Sequence, residues 1–487
     1  MTAGRAVPAA VGKPMDVRDT AEPPLVVDID GTLIRTDLLV ESALTLLRSR
    51  PLDALRAPAW LAGGRARLKR ELAARVPIDP AALPYDEAVL ERLRRERAAG
   101  RRIWLASASD HGQVEAIAAH LGLFDGVFAS GDGTNLKAGA KARALVEAFG
   151  DGGFDYIGND RADVPVWRAA RRALLVDAPE GATRALGDDA EVLVPRRRDA
   201  LAWLRALRPH QWLKNLLVFV PILAAHAITP ATVAAAAVAF VAFSLVASGV
   251  YVLNDLLDLP SDRAHPRKAA RPLASGALPI VHGPALSAGL VVVGLLLAAL
   301  VGPALVGVLA LYLLATTAYS VYLKRKALLD VITLAGLYTA RVLGGAAAAG
   351  LVVSQWLLAF SMFLFLALAI VKRHAELVDA VTNDQGDPRG RGYLAGDLPM
   401  LAALGAASGY IAVLVLALYT QTPQVQTLYA QPGWLWGVVA LLLYWISRML
   451  LVSHRGLMDD DPLVFAVRDR GSLVAGALAA ALVIAAT

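Results

Sequence analysis

The sequence contains no cysteine and relatively little charge. The absence of cysteine among 487 residues excludes disulfides, zinc–thiolate sites and thiol nucleophiles. Only 18% of the residues are charged, 56% are hydrophobic, and the mean hydropathy is +0.51, which is too apolar for an ordinary soluble protein. Residues 1–22 have no apolar signal-peptide core, and we expect them to form a disordered leader. No acidic or basic block indicates nucleic acid as a partner.

The charge that is present is concentrated in the first part of the chain. Residues 1–210 carry 31 Lys and Arg and 29 Asp and Glu, whereas residues 211–487 carry 17 and 13. The first part is therefore typical of a soluble domain and the second of a membrane-embedded one. We expect a leader over 1–22, a soluble domain over 23–195, a basic juxtamembrane linker over 196–210 and a transmembrane domain over 211–487. The linker either lies on the membrane surface, with its arginines towards anionic headgroups, or simply connects the two parts.

Three short apolar runs in the soluble part end in polar residues. They begin near residues 25, 102 and 154, and they lead to Asp28 and Asp30, to Ser107 and Ser109, and to Asn159, Asp160 and Asp163. Helical patterns separate the runs, for example at 87–99 and 141–149. Alternating strands and helices predict a parallel α/β sheet, with the polar residues at the carboxyl ends of its strands.

The motif Asp28-Ile29-Asp30-Gly31-Thr32 resembles the first motif of the haloacid dehalogenase (HAD) superfamily, and the later motifs follow in its order. The resemblance implies a Rossmann-like phosphatase domain with a small helical cap, which fits residues 38–84. It also implies that Asp28 is the nucleophile, that Asp30 is the general acid/base, and that Ser107 binds phosphate. Carboxylate nucleophiles attack phosphorus when a metal and a lysine screen the repulsion.

Two features of this resemblance stay open. The lysine that neutralises the phosphoryl charge is Lys141, which opens a predicted helix, or Lys137. The implied Mg²⁺ ligands are Asp28, Asp30 and Asp163, with Asp160 as a further candidate. Asn159 stands where the family usually has its first metal-binding aspartate, and a neutral amide ligates Mg²⁺ more weakly. The domain is therefore either a catalytic phosphatase or a degenerate, structural HAD module.

The second part contains about nine apolar segments of near-membrane length. Their centres lie near residues 221, 243, 293, 313, 340, 364, 409, 443 and 479, and Pro221 interrupts the first. The loops between them alternate between charged and uncharged, and the charged loops are 255–271, 324–326, 372–397 and 455–470. The positive-inside rule therefore places these loops, and the soluble domain with them, on the cytoplasmic side of the cell (inner) membrane. The expected fold is an α/β domain followed by an all-α membrane bundle.

The densest acidic motif follows the second apolar segment. Asp255, Asp258 and Asp262 come after Asn254 at spacings that stack the carboxylates on one helix face. Like charges at this separation repel unless a cation lies between them, and carboxylate oxygens suit Mg²⁺. The basic residues behind the motif, which could clamp phosphate oxygens, are Arg263, Lys268 and Arg271. The pattern predicts a Mg²⁺–diphosphate site at a membrane surface, and the alternative is a solvated acidic loop.

Further candidates lie in three other polar segments. They are Lys214 and Asn215 at the start of the transmembrane part, Lys372, Glu376, Arg391 and Tyr393 after the sixth apolar segment, and Asp459–Asp461 before the last. Lys372 and Glu376 fall on one helix face. Asp330 and Arg341 lie inside an apolar segment, where ionisable groups serve either an active site or a structural polar contact.

Over its whole length this part resembles the UbiA superfamily of intramembrane prenyltransferases, in its nine segments and its Asn254–Asp262 motif. In that family the motif binds Mg²⁺ and the diphosphate of an isoprenoid donor, which implies that Asp255 and Asp258 are catalytic. The cation-rich second cluster departs from the usual aspartate-rich pattern. Together with residues 208–215 and 460–466 it resembles the decaprenyl-phosphate phosphoribosyltransferase branch. That branch transfers 5-phosphoribosyl from phosphoribosyl pyrophosphate to polyprenyl phosphate.

Two other functions remain open on the sequence. An ordinary UbiA enzyme would move a polyprenyl group from its diphosphate to an aromatic acceptor. A lipid-binding or transport protein would carry the acidic motif as a vestige. The fused HAD domain would remove the 5-phosphate left on the transferase product, or it would serve as a house-keeping phosphatase or a regulatory module.

Overall fold

The computed structural model describes residues 22–131, 135–187, 190–196, 199–382, 392–458 and 461–487. The expected leader lies outside the described residues except for its last residue. The chain divides into two compact units, of which the first is Met1–Ala206 with Val252–Ala285 and the second is Leu207–Tyr251 with Leu286–Thr487. The acidic motif at 254–262 therefore belongs to the same unit as the soluble domain.

Six parallel strands form the centre of the first unit. They are β1 (Leu25–Val27), β2 (Ile103–Asp110), β3 (Gly126–Ser130), β4 (Asp155–Gly158), β5 (Arg172–Val176) and β6 (Ala190–Val194), in the order β3-β2-β1-β4-β5-β6. Leu25 and Val27 pack into one core and Val26 into the other, so β1 is buried on both faces as parallel strands are. The predicted parallel α/β fold is confirmed. The three expected strands are β1, β2 and β4, and the sequence analysis missed the other three.

Helices cover the sheet and fill the segment expected to form a cap. They are α1 (Leu38–Ser49), α2 (Pro51–Ala54), α3 (Ala57–Ala62), α4 (Arg65–Arg75), α5 (Glu87–Ala98), α6 (His111–Leu121), α7 (Gly139–Phe149), α8 (Val164–Ala169), α9 (Glu180–Leu186) and α10 (Ala200–Ala206). Helix α1 begins where the Asp37 side chain accepts a hydrogen bond from Val40 N, which satisfies one of the amides at the helix start. Helices α5 and α7 coincide with the two helical patterns in the sequence.

The rest of the described chain is helical. It contains α11 (Val220–Ala224), α12 (Pro230–Leu257), α13 (Leu259–Arg263), α14 (Gly283–Val301), α15 (Pro303–Val321), α16 (Leu329–Ala349), α17 (Gln355–Thr382), α18 (Leu398–Tyr419), α19 (Pro423–Leu428), α20 (Leu435–His454), α21 (Pro462–Ala466) and α22 (Arg470–Ala486). A 3₁₀ segment, Pro209–Phe219, precedes α11.

Among the described residues, seven helices are long and apolar enough to cross a membrane. They are α12, α14, α15, α16, α17, α18 and α20, and they match seven of the nine expected segments. The first expected segment is a 3₁₀ segment followed by the five-residue α11, and the last is the 17-residue α22. The protein is therefore an integral membrane protein, and the expectation of nine spans is not confirmed.

The acidic motif does not follow one continuous helix. Helix α12 ends at Leu257 and α13 starts at Leu259, with Asp258 between them. Pro260 stands in the first turn of α13, where its missing N–H costs nothing, whereas inside a longer helix it would break the hydrogen-bond ladder. The expectation of a single helix through the three aspartates is therefore wrong, although Asp255 and Asp262 still contact one cation.

Candidate active sites

The carboxyl edge of the sheet holds a lysine between two buried carboxylates. Lys141 Nζ donates to Asp28 Oδ1 at 2.8 Å and lies 3.5 Å from Asp163 Oδ1. Tyr156 accepts a hydrogen bond from Lys141 Nζ at 2.9 Å and donates its own proton to Asp163 Oδ1 at 2.9 Å. All four residues are buried. Of the two lysines that the sequence left open, the structure brings Lys141 to Asp28. It also adds Tyr156, which sequence reasoning missed.

Asp30 lies between the start of α1 and the end of β2. Its Oδ1 accepts a hydrogen bond from Leu38 N at 2.8 Å, and its Oδ2 accepts one from Ser109 Oγ at 2.9 Å. Ser107 is buried, and its Oγ accepts a hydrogen bond from Ser109 N at 3.0 Å. The two serines at the end of β2 are thus linked to each other, and the second contacts the expected acid/base.

Burial changes the ionisation of this site. It raises the pKa of Asp28 to about 7, against the opposing effect of Lys141. It also raises the pKa of Asp30 to about 6, and the nearby Asp37 carboxylate adds to the shift. Burial works against the charge of Lys141, but Asp28 and Asp163 outweigh it and raise the pKa of that lysine. The carboxylates are therefore costly to ionise here without a further cation.

The two loops that carry the first and last HAD-like motifs are in close contact. Gly31 has a φ of +75°, and a Cβ at this position would lie 2.0 Å from Asn159 Nδ2. Asp163 Oδ2 accepts hydrogen bonds from Asn159 N at 3.2 Å and from Asp160 N at 3.1 Å. Asp163 thus fixes the loop that places Asn159 against Gly31. Asp160 itself is exposed.

The cap contributes a lysine that sequence reasoning missed. Lys69 of α4 donates a hydrogen bond to the Ala108 carbonyl and another, at 3.2 Å, to Asn135 Oδ1. Burial lowers the pKa of Lys69, although the Asp30 and Asp37 carboxylates oppose the shift. The arginine-rich composition around Lys69 is typical of a solvated helix face, so spacing alone gave no signal for this residue.

In the acidic motif, two aspartates share one arginine. Arg271 Nη1 lies 3.1 Å from Asp255 Oδ1 and 2.6 Å from Asp262 Oδ2. Both carboxylates are buried, whereas the Arg271 side chain is 28% exposed. Asp258 instead forms an ion pair with Arg48 of α1, 3.3 Å between Oδ1 and Nη1. The structure therefore brings Asp255 and Asp262 together on one cation and pairs Asp258 with the cap.

The other candidates of this segment have different surroundings. Arg263 Nη2 donates to Glu41 Oε1 at 2.5 Å, and its Nε donates to the Ala274 carbonyl at 3.0 Å. Lys268 is exposed and Asn254 is half-buried. Arg263 is thus engaged with protein groups on two sides.

In the second unit, two lysines converge on one aspartate. Lys214 forms an ion pair with Asp461, and Lys372 Nζ lies 3.8 Å from Asp461 Oδ2. Burial would raise the pKa of Asp461, but Lys214 and Lys372 outweigh it and keep that pKa below its ordinary value. Asn215, which follows Lys214 in the sequence, is buried and accepts a hydrogen bond from Arg341 Nε at 2.8 Å. These residues come from the start, the middle and the end of the unit.

A second buried network surrounds Arg373. It forms ion pairs with Asp330 and Glu376, and its Nη2 donates to Tyr319 OH at 2.7 Å. Tyr393 OH donates to Asp330 Oδ1 at 2.5 Å. Two of the expected site residues, Glu376 and Tyr393, therefore belong to one polar network. Arg391, Asp459 and Asp460 lie outside the described residues.

Two parts of the chain match known protein families. Residues 216–466 match the UbiA prenyltransferase family, and residues 25–168 match haloacid dehalogenase-like hydrolases. The chain belongs to the UbiA prenyltransferase family. This UbiA protein carries a HAD-like hydrolase domain at its N-terminal end, and both matches indicate an enzyme.

Relatives of this UbiA protein differ in how much of it they share. A Sinorhizobium fredii protein named y4nM is 39% identical over 94% of this chain and 90% of its own length. A decaprenyl-phosphate phosphoribosyltransferase of Mycolicibacterium smegmatis is 40% identical over 36% of this chain and 56% of its own length. A solved UbiA homologue from Archaeoglobus fulgidus bound to GPP and Mg²⁺ is 17% identical with a TM-score of 0.45, over 58% of this chain and 99% of its own.

Proposed function

We propose that this protein transfers 5-phosphoribosyl from phosphoribosyl pyrophosphate to a polyprenyl phosphate at the cytoplasmic face of the inner membrane. The observation that carries the proposal is the convergence of Lys214 and Lys372 on Asp461. Two highly anionic substrates must meet in such a reaction, and the positive charges of a buried lysine and a partly exposed one favour that encounter. The partial similarity to a decaprenyl-phosphate phosphoribosyltransferase supports the transfer of a phosphoribosyl group to a polyprenyl phosphate.

The donor set of the acidic motif fits Mg²⁺. Asp255 and Asp262 already share one cationic nitrogen, that of Arg271, so both carboxylates face one position that a cation can occupy. Within the described part of the chain, no group of three or more His, Asp or Glu side chains is arranged to hold a metal. Mg²⁺ is commonly held by one or two carboxylates together with substrate phosphates. We therefore propose Asp255 and Asp262 as the ligands, where the ion would neutralise the departing diphosphate. Asp258, which pairs with Arg48 of α1, is not included in this set.

The residues of the chain then have distinct tasks in the transfer. Arg271 and Lys268 are proposed to orient the diphosphate, and Lys214 and Lys372 are proposed to bind phosphate groups. The bond between ribose C1 and the diphosphate oxygen breaks, the diphosphate leaves with the bonding electrons, and an oxygen of the lipid phosphate bonds to C1. Diphosphate is a good leaving group once its charge is neutralised, so positioning and electrostatics supply most of the rate.

The HAD domain is proposed to remove the 5-phosphate of the transferase product. Asp28 attacks the phosphorus and forms an aspartyl-phosphate, while Asp30 gives a proton to the departing ribose oxygen. Asp30 then takes a proton from the water that hydrolyses the intermediate. Lys141 stabilises the charge on the phosphoryl oxygens, and Ser107 binds them. Asp28 and Asp163, which share Lys141, are the proposed Mg²⁺ ligands, because Mg²⁺ is commonly held by one or two carboxylates together with substrate phosphate. Asp30, which the sequence also offered as a ligand, keeps the acid/base role instead.

Purified protein supplied with competing substrate pairs tests the transferase proposal. One reaction contains labelled phosphoribosyl pyrophosphate and polyprenyl phosphate, and the other contains a prenyl diphosphate and hydroxybenzoate. We expect labelled phosphoribosyl lipid from the first and no prenylated hydroxybenzoate from the second, and a loss of at least about a hundredfold in Asp255→Asn because a metal-binding carboxylate is removed. Prenylated hydroxybenzoate would instead identify an aromatic prenyltransferase. Function unchanged in Asp255→Asn would indicate a lipid-binding or transport protein.

A further inference from the structure

The segment that carries the acidic motif, residues 254–276 and called the acidic loop below, forms a buried ion pair with helix α1 of the HAD domain. Glu41, in the first turn of α1, accepts hydrogen bonds from Arg263 Nη2 and from Thr36 Oγ1, both at 2.5 Å. Glu41 is 5% exposed, and the Arg263 side chain is 8% exposed. Removing one partner of a buried ion pair leaves an uncompensated charge, so such a pair holds its two segments in a defined geometry.

Arg263 also joins two parts of the acidic loop by a hydrogen bond. It directly follows Asp262, and its Nε donates to the Ala274 carbonyl at 3.0 Å, three residues after Arg271. The two segments joined by this bond are those that supply the Asp262–Arg271 ion pair. The bonds of Arg263 therefore fix the separation of the groups proposed to hold the diphosphate.

Two further contacts join the same parts of the first unit. Arg48 Nη1 donates to the Leu257 carbonyl at 3.0 Å, beside its ion pair with Asp258. Gly276 has a φ of +73°, and a Cβ there would lie 2.4 Å from Arg35 Cβ and 2.5 Å from its carbonyl oxygen. The segment from Arg35 to Arg48 thus contacts the acidic loop near both of its ends.

We propose that Glu41, a residue of the HAD domain, is a positioning residue for the transferase. By holding Arg263 it keeps Asp262 and Arg271 in the arrangement that binds the donor diphosphate. This inference rests on the proposed function only in requiring that the loop bind a diphosphate, whichever group the diphosphate carries. The HAD domain is then part of the scaffold of the transfer site as well as a second catalyst.

Binding of inorganic pyrophosphate with Mg²⁺ to the full-length protein in detergent tests the proposal. We expect Glu41→Gln and Arg263→Gln each to weaken binding about tenfold, and the double variant to bind no more weakly than either, because both changes remove one interaction. In steady-state transfer, Glu41→Gln should raise KM for the donor while kcat stays within about twofold of wild type. A merely structural loss would lower kcat through a reduced amount of folded protein.

Glu71→Gln is the matched control. Glu71 lies on α4 of the same cap and pairs with Arg75 at 2.5 Å, so its loss should leave pyrophosphate binding unchanged. Melting temperatures report folding, and if Glu41→Gln does not fold, Gly276→Ala tests the neighbouring contact and should also weaken binding. Additive effects of Glu41→Gln and Arg263→Gln, or unchanged binding in Glu41→Gln, would overturn the proposal.

The same experiment separates this inference from the proposed function. Wild-type protein that binds pyrophosphate but forms no phosphoribosyl lipid would contradict the proposed function and leave the role of Glu41 standing. Wild-type protein that does not bind pyrophosphate would contradict both.

Discussion

Two clusters in the first unit follow one plan, in which a pair of carboxylates shares a cation, but they are built differently. In the HAD-like site, Lys141 joins Asp28 and Asp163, and all three are buried. In the acidic loop, Arg271 joins Asp255 and Asp262, and its side chain is 28% exposed. The first cluster is set by strand ends and the start of a helix. The second lies on a loop whose geometry depends on contacts with α1. A sheet edge therefore fixes its site locally, whereas the loop requires support from a distant segment.

Removal of the shared cation should produce the largest difference in stability loss between the two clusters. Lys141→Met leaves two buried carboxylates facing each other, and we expect it to abolish phosphatase activity and destabilise the domain by about 3–5 kcal/mol. Arg271→Met should cost less, about 1–2 kcal/mol, because water that reaches the 28% exposed arginine side chain can partly hydrate the two buried carboxylates that it leaves. Thermal unfolding of both variants measures the difference. Equal losses would contradict the distinction between a fully buried cation and a partly exposed one.

A second prediction concerns the glycine of the first HAD-like motif. Gly31→Ala should destabilise the domain by about 1–3 kcal/mol and impair phosphate release, because the backbone has a positive φ and the new Cβ would collide with Asn159. Gly187→Ala is the control, since its φ is +73° but a Cβ there meets no atom within 4 Å. Melting temperature and phosphatase activity measured together should show a larger loss for Gly31→Ala. Matching losses would mean that backbone strain alone accounts for the effect.

A third prediction is a pH dependence of stability in EDTA. The pKa of Asp28 rises from 3.8 to about 7 on burial, so between these values the folded protein keeps a proton that the unfolded chain releases. The free energy of unfolding should therefore fall as pH rises from about 4 to 7, by up to about 1.4 kcal/mol per pH unit. Asp28→Asn removes the titrating carboxyl and with it this pH dependence. The melting temperature of the variant minus that of wild type should therefore increase from pH 5 to pH 7 and then stay constant. A gain independent of pH would contradict the assigned ionisation.

The sequence predicted the parts of these sites that follow from local pattern. An apolar run ending in acid and glycine predicted that Asp28 and Asp30 follow a buried strand, and similar runs predicted the positions of Ser107 and Asp163. Pro260, two residues after Asp258, marks the helix break in the sequence, because a proline is accepted in the first turn of a helix and not in its interior. The spacing of the aspartates carries no sign of this break.

Other features depend on contacts between residues far apart in the chain. Glu41 and Arg263 are separated by 222 positions, and no periodicity links them. Arg263 was expected to clamp phosphate because it follows an acidic motif, yet the fold engages it with a cap carboxylate. The roles of Tyr156 and Lys69 could not be predicted from the sequence either, because only the folded sheet and cap bring their partners close to them.

The central claim is that one chain transfers a phosphoribosyl group and then removes its phosphate at a separate site. Mass spectrometry of lipid products from full-length Asp28→Asn, supplied with phosphoribosyl pyrophosphate and polyprenyl phosphate, tests it most directly. The account predicts that the variant accumulates polyprenylphosphoryl-5-phosphoribose, whereas wild type yields the lipid without the 5-phosphate. Absence of any phosphoribosyl lipid, or the same phosphorylated product from both proteins, would contradict it.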